Sequence, residues 1–214
     1  MQQKFDKWKR WMEVIRSETI QLEFLKRFYW DFQEVIKSND EINKPNPLFN
    51  FLNRTYVDSI MTGKRRLIKK QNDSISFTGL LEEIIESPEI FTRDRYHILF
   101  EKSIPAIKKE VDGWFDSYAG VGNEYIDKSF VEIDLEELKI AVKKCEDHID
   151  KRIVHYDKRE PEQPLTFKEI DDVVELLIEK MRKYYLLFFK TSIADLLIPN
   201  WQTIFEKPWV NNEM

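Results

Sequence analysis

Apolar side chains recur every three or four positions along most of this chain, the period of an α-helix with one buried face. The first run spans about Lys4 to Ser38, with Phe5, Trp8, Met12, Ile15, Thr19, Leu22, Leu25, Phe28, Phe32 and Val35 on one stripe. Ser17 marks a kink or a new start within it. The stretch NDEINKPNP (Asn39 to Pro47) ends the run, because neither proline can continue a helix and turn-formers surround them. A second helix is predicted from about Pro47 to Lys70, with Leu48, Phe51, Leu52, Tyr56, Ile60, Met61 and Leu67 facing inward. Ser76 caps a short helix through Ile85 that Ser87-Pro88 closes, and Thr92 opens another. Pro105 starts or kinks the next, through Phe115, and AGVGNE is a loop.

Residues 123–133 read as extended or irregular. Asp134 then caps a helix running to about His155, with Leu135, Leu138, Ala141 or Val142, Cys145 and Ile149 inward. Thr166 and Glu169 form a capping box ahead of Ile170, Val173, Val174, Leu177, Met181, Tyr184 and Leu187 or Phe188. The closing IPNWQTIFEKPW is dense in aromatics, which argues that it packs on the body or on a partner. No repeat or dividing linker interrupts this order. The expectation is one all-α domain over residues 1–214, with a core bundle over about 4–190 and a tail over 191–214.

Composition narrows the chemistry. The chain has 214 residues, a net charge of -5 and only five glycines, and it lacks the Gly-rich phosphate-loop motifs. One cysteine, Cys145, leaves no disulfide or CxxC site and suits a reducing, cytoplasmic location. The N-terminal stretch is charged throughout, unlike a signal peptide, and no apolar run approaches a membrane span. An acidic chain is a poor coater of long duplexes, so any nucleic-acid contact rests on local clusters. Two exist: Lys64, Arg65, Arg66, Lys69, Lys70, and Lys151, Arg152, Lys158, Arg159.

The densest candidate chemistry lies in CEDHIDKRIVHYDKR (Cys145 to Arg159). His148, Arg152 and His155 are spaced i, i+4, i+7, which stacks them on one helix face. The apolar stripe thus turns polar near the helix end. There the partial negative charge of the C-terminus, with Asp150 and Asp157, raises the affinity of histidines for protons. Histidine can move the proton of a ribose 2′-hydroxyl, and arginine can neutralise a crowded phosphate, with no metal or cofactor. The same residues also suit an ordinary helix end, where cations meet the last carbonyls. Zinc is the weaker fit, because His148, His155 and Asp157 lack the tight ligand spacing. Arg65 and Arg66 read equally as phosphate ligands or as ion-pair partners of acids such as Asp73 or Glu82.

The stretch DKRIVHYDKR (Asp150 to Arg159), followed by PLTFKEIDDVVELLIEKMRKYYLL, resembles the HEPN superfamily, and more narrowly the HEPN-like family of the bacterial abortive-infection U system. TGKRRLIKKQNDSISFTGLLEEI (Thr62 to Ile84), FTRDR near Arg93 and WQTIFEKPW (Trp201 to Trp209) are similar to that family too. The resemblance implies an extended helical bundle, a two-fold homodimer and metal-independent endoribonuclease activity in phage defence or toxin–antitoxin pairs. Carried onto this chain, its histidine is His155. Its arginine would stand at 148, 149 or 150, where this chain has His148, Ile149 and Asp150. Arg152 substitutes, or Arg65 or Arg66 supplies the guanidinium, or the protein is a non-catalytic dimer that binds RNA, nucleotide or an operon partner protein. The catalytic set would be His155, Arg152, His148 and Asp157, with Arg65, Arg66, Lys151 and Lys158 on RNA phosphates.

Overall fold

The computed structural model describes residues 1–70, 73–148, 165–190 and 201–203, with residues 144–148 described as backbone only. The described residues form seven α-helices: α1 (Gln2–Lys37), α2 (Pro47–Ile68), α3 (Phe77–Glu86), α4 (Arg93–Phe100), α5 (Pro105–Ala119), α6 (Lys128–His148) and α7 (Phe167–Phe188). The protein is all-α, and an isolated bridge between Thr92 and Tyr125 is the one β-type pairing among them. No helix of the described residues is long and apolar enough to cross a membrane.

The helix starts follow local chemistry. Ser76 Oγ accepts the Gly79 amide at 3.1 Å, Thr92 Oγ1 the Arg95 amide at 3.0 Å, and Asn46 Oδ1 the Leu48 amide at 2.8 Å. Thr166 and Glu169 close a reciprocal capping box. Each satisfies a backbone donor that the helix itself leaves open. Gly120 and Gly122 adopt positive φ in the turn after α5, a region that glycine enters without a Cβ clash.

Expectations for three helices are corrected. Helix α1 runs unbroken for 36 residues through Ser17. Its buried line in the second half is Leu22, Tyr29 and Ile36, while Leu25, Phe28, Phe32 and Val35 are half-buried. Phe28 and Phe32 instead meet Trp201, with ring centroids 4.6 and 5.9 Å away, so this part of the tail packs on α1. Leu48 and Phe51 on α2 are exposed rather than inward, because the first turns of that helix run past its neighbours. Helix α6 begins at Lys128, not Asp134. Asp127 takes the capping role through the Ser129 amide at 2.8 Å, and Asp134 sits inside the helix, buried.

Helix α1 packs along α7 and α2, and α6 lies across α3, α7 and α2. One connected core joins Trp8, Met12 and Ile15 of α1 to Ile60 and Met61 of α2, Leu80 and Leu81 of α3, Leu138 of α6 and Val174, Leu177, Met181 and Phe188 of α7. Helices α4 and α5 pack chiefly on each other as a hairpin beside this body. Helices α1 and α2 approach closely at Gly63, where an added Cβ would lie 2.5 Å from Leu22 Cδ2.

Gly63→Leu should therefore destabilise the fold. Overpacking costs about 1–3 kcal/mol or more, which outweighs the roughly 1 kcal/mol that removing a helical glycine returns. Urea denaturation should show a lower midpoint for the variant; an unchanged or higher midpoint contradicts the close approach.

Candidate functional site

Helix α6 carries the chain up to His148, its last residue. Arg152, His155, Asp157, Lys151 and Lys158 lie outside the described residues, as does the His148 side chain. The structure thus places the His148 backbone on α6. Of the predicted residues it places Arg65 and Arg66.

Both stand in the last turns of α2, where helical periodicity divides the basic run. Ile60, Met61, Lys64, Leu67 and Ile68 share the inner face, so Lys64 is drawn into the core and is fully buried. Its Nζ donates to the Ile170 carbonyl at the start of α7, at 2.5 Å. Arg65 is half-buried. Arg66 is exposed and pairs with Glu18 of α1 at 2.8 Å, so its acid is neither Asp73 nor Glu82. Glu82 instead receives Lys70 at 2.7 Å and Lys139 of α6 at 3.1 Å. The Lys70 hydrogen bond holds the Glu82 carboxyl below its usual range, against the effect of burial. Lys64, Arg66 and Lys70 therefore point to three different partners, and the run is not one continuous cationic strip.

The most concentrated polar chemistry among the described residues gathers on two carboxylates, Asp134, which is buried, and Asp171, which is half-buried. Asp134 of α6 is 3% exposed. Its Oδ1 meets Lys180 at 2.8 Å, and its Oδ2 accepts from Lys183 at 2.6 Å and from the Tyr184 hydroxyl at 2.7 Å. Lys180 also reaches Glu137 at 2.5 Å. Burial alone would raise the Asp134 pKa, but the hydrogen bonds from Lys180, Lys183 and Tyr184 more than offset it and hold it below its ordinary value. At the other end of α7, Asp171 accepts from the Tyr56 hydroxyl at 2.5 Å and the Trp30 indole at 2.7 Å. Tyr56 stacks flat on Tyr29 with centroids 3.9 Å apart, and burial followed by the Asp171 bond pushes its pKa up.

Both networks escaped the sequence reading. The signal was present for one: Asp134 falls in step with Val131, Leu135, Leu138 and Val142, and an acid on an apolar stripe implies a buried cation. Lys180 on the inner face of α7 is that cation. A third set closes the base of the α4–α5 hairpin. Arg93 binds Asp112 at 2.9 Å and Asp116 at 2.5 Å, and His97 Nε2 meets the same Asp112 oxygen at 2.9 Å. Asp112 is held below its ordinary range by the His97 bond and then by Arg93. His97 is thus a surface residue with a structural partner.

Among the described residues no group of three or more His, Cys, Asp or Glu could hold a metal ion. No protein-family model matches the chain, and no curated protein and no solved structure gives a significant match.

The lowered Asp134 pKa has a definite pH signature. Its contribution is present above the unfolded value of 3.8 and is lost as pH falls through the lower folded value. Asp134→Asn should lose about 3 kcal/mol at pH 7, because it strips the buried Lys180 ammonium and the half-buried Lys183 of their shared anion. The gap to the parent protein should narrow below about pH 4, as the parent loses the same charge. Urea denaturation at pH 7 and pH 3 measures both; a gap that stays constant contradicts the pairing.

Proposed function

We propose that the chain is a metal-independent endoribonuclease of the HEPN type, acting in a phage-defence or toxin–antitoxin setting. The observation that carries this reading is the i, i+4, i+7 spacing of His148, Arg152 and His155, with His148 on α6. His155 acts as general acid/base. It accepts the 2′-hydroxyl proton as the 2′-oxygen attacks phosphorus, and a proton returns to the departing 5′-oxygen. The P–O5′ bond breaks, leaving a 2′,3′-cyclic phosphate and a 5′-hydroxyl. Arg152 neutralises the non-bridging oxygens, and His148 and Asp157 orient and tune the imidazole. Lys151 and Lys158 hold flanking phosphates. Arg65 and Arg66 add a second cationic contact at the end of α2, where Arg66 can exchange Glu18 for phosphate because surface ion pairs contribute only about 0–1 kcal/mol.

Single-stranded RNA incubated with purified protein and EDTA should be cut to cyclic-phosphate ends. His155→Ala should lower the rate by about 10²- to 10⁴-fold, the usual worth of a general acid or base. Arg66→Ala should keep the parent stability, so any loss of RNA affinity reports a phosphate contact. Folded parent protein that cuts no RNA under any condition overturns the proposal.

A second reading has its own observation. Ile133 and Ile140 of α6 point outward at 55% and 65% exposure, with Phe130 beside them. The first half of the outer face carries Glu132 and Glu136, and the second half carries Lys139 and Lys143. Two copies meeting antiparallel along α6 would cover the isoleucines and oppose acid to base. This supports a homodimeric helical module that needs no catalysis and could present a face to an operon partner protein. Sedimentation should give a dimer that Ile133→Glu with Ile140→Glu converts to monomer. A monomeric parent protein at high micromolar concentration rejects it.

A further inference from the structure

The α4–α5 hairpin and the end of α7 enclose a half-open groove of about 470 Å³ that neither reading above uses. That volume lies within the roughly 300–1,000 Å³ of small-molecule sites. Its walls are mostly ring faces and edges. Tyr96, Phe100 and Trp114 form one aromatic run, with centroids 5.2 Å apart for Tyr96–Phe100 and 5.5 Å for Phe100–Trp114, and Leu186 of α7 faces them across the groove.

Three observations say what such a groove would take. First, Gly113 lines it from the middle of α5, and a Cβ built there meets nothing within 4 Å. A glycine inside an exposed helix costs about 1 kcal/mol relative to alanine, and no neighbour in this chain requires it. Its effect is to leave the groove open. Second, the Ser103 hydroxyl oxygen behind the lining is closed to solvent, so it lends the groove no open hydrogen-bonding group. Third, the one charged side chain among the described lining residues is Lys190, which forms no ion pair among the described residues. No carboxylate stands among the described lining residues.

We infer that this groove binds a small aromatic carboxylate. Its ring system enters among Tyr96, Phe100 and Trp114, where edge-to-face packing adds to apolar burial. Its carboxylate meets the Lys190 ammonium, a charge-assisted pairing at the groove's polar end. The site is independent of the ribonuclease reading and stands or falls apart from it.

The test uses 2-naphthoate as probe and 2-naphthylmethanol as its uncharged counterpart, titrated into the full chain by calorimetry. The naphthoate should saturate one site and bind about tenfold or more tightly than the alcohol, the worth of one charged hydrogen bond. Lys190→Gln should erase that preference while leaving the alcohol unchanged. Gly113→Leu should abolish binding of both by filling the groove, with a melting temperature equal to or above the parent's because it removes a helical glycine. Three outcomes overturn the inference: no saturable binding at millimolar probe, parent-like binding by Gly113→Leu, or equal weakening of both probes by Lys190→Gln.

Discussion

Charge, more than apolar contact, holds α7 in its register. Its buried stripe from Ile170 to Phe188 would tolerate a shift of one turn, because apolar burial has no direction. The polar bonds would not. Asp171 must meet Trp30 and Tyr56, the Ile170 carbonyl must meet Lys64, and Lys180, Lys183 and Tyr184 must all reach Asp134. A one-turn slip would leave buried ions without partners, a penalty larger than most single contacts return. These bonds reach α1 and α2 at one end of α7 and α6 at the other. The run of α6 toward His148 is thereby set from the centre of the bundle.

Much of this order could be read from residue spacing. The capping serine and threonines at 76, 92 and 166 mark helix starts because a side-chain oxygen is the simplest answer to open amides. Pro47 and Pro105 mark two more. The inner faces of α3 and α7 follow directly from period. What was misread depends on neighbours far along the chain. The second half of α1 presents Tyr29 and Ile36 rather than Phe28 and Phe32, because Tyr56 and Phe167 wait on one side and Trp201 on the other. Asp134 looked like a cap because aspartate usually is one. Its partners lie about 50 positions away and no local rule points to them.

The candidate chemistry divides in the same way. Spacing alone singled out the His/Arg segment and the basic end of α2, since both are local patterns. It could not show that Lys64 turns inward or that Glu18 lies across from Arg66. Nor could it find the groove, whose lining comes from α4, α5 and the end of α7 and exists only once the hairpin folds back. Acid–base groups could be listed from composition and period. Concavity could not.

The hairpin itself sits apart from this web. It closes on its own clasp, through the Thr92–Tyr125 bridge and the Arg93 cluster, and touches the body at a few points such as the Tyr118 hydroxyl on the Lys183 carbonyl. Its inner residues Tyr96, Phe115 and Tyr118 belong to the common core, but its rim can drift in sequence without unsettling the bundle. Evolution could retool the recognition surface there while the scaffold stays unchanged.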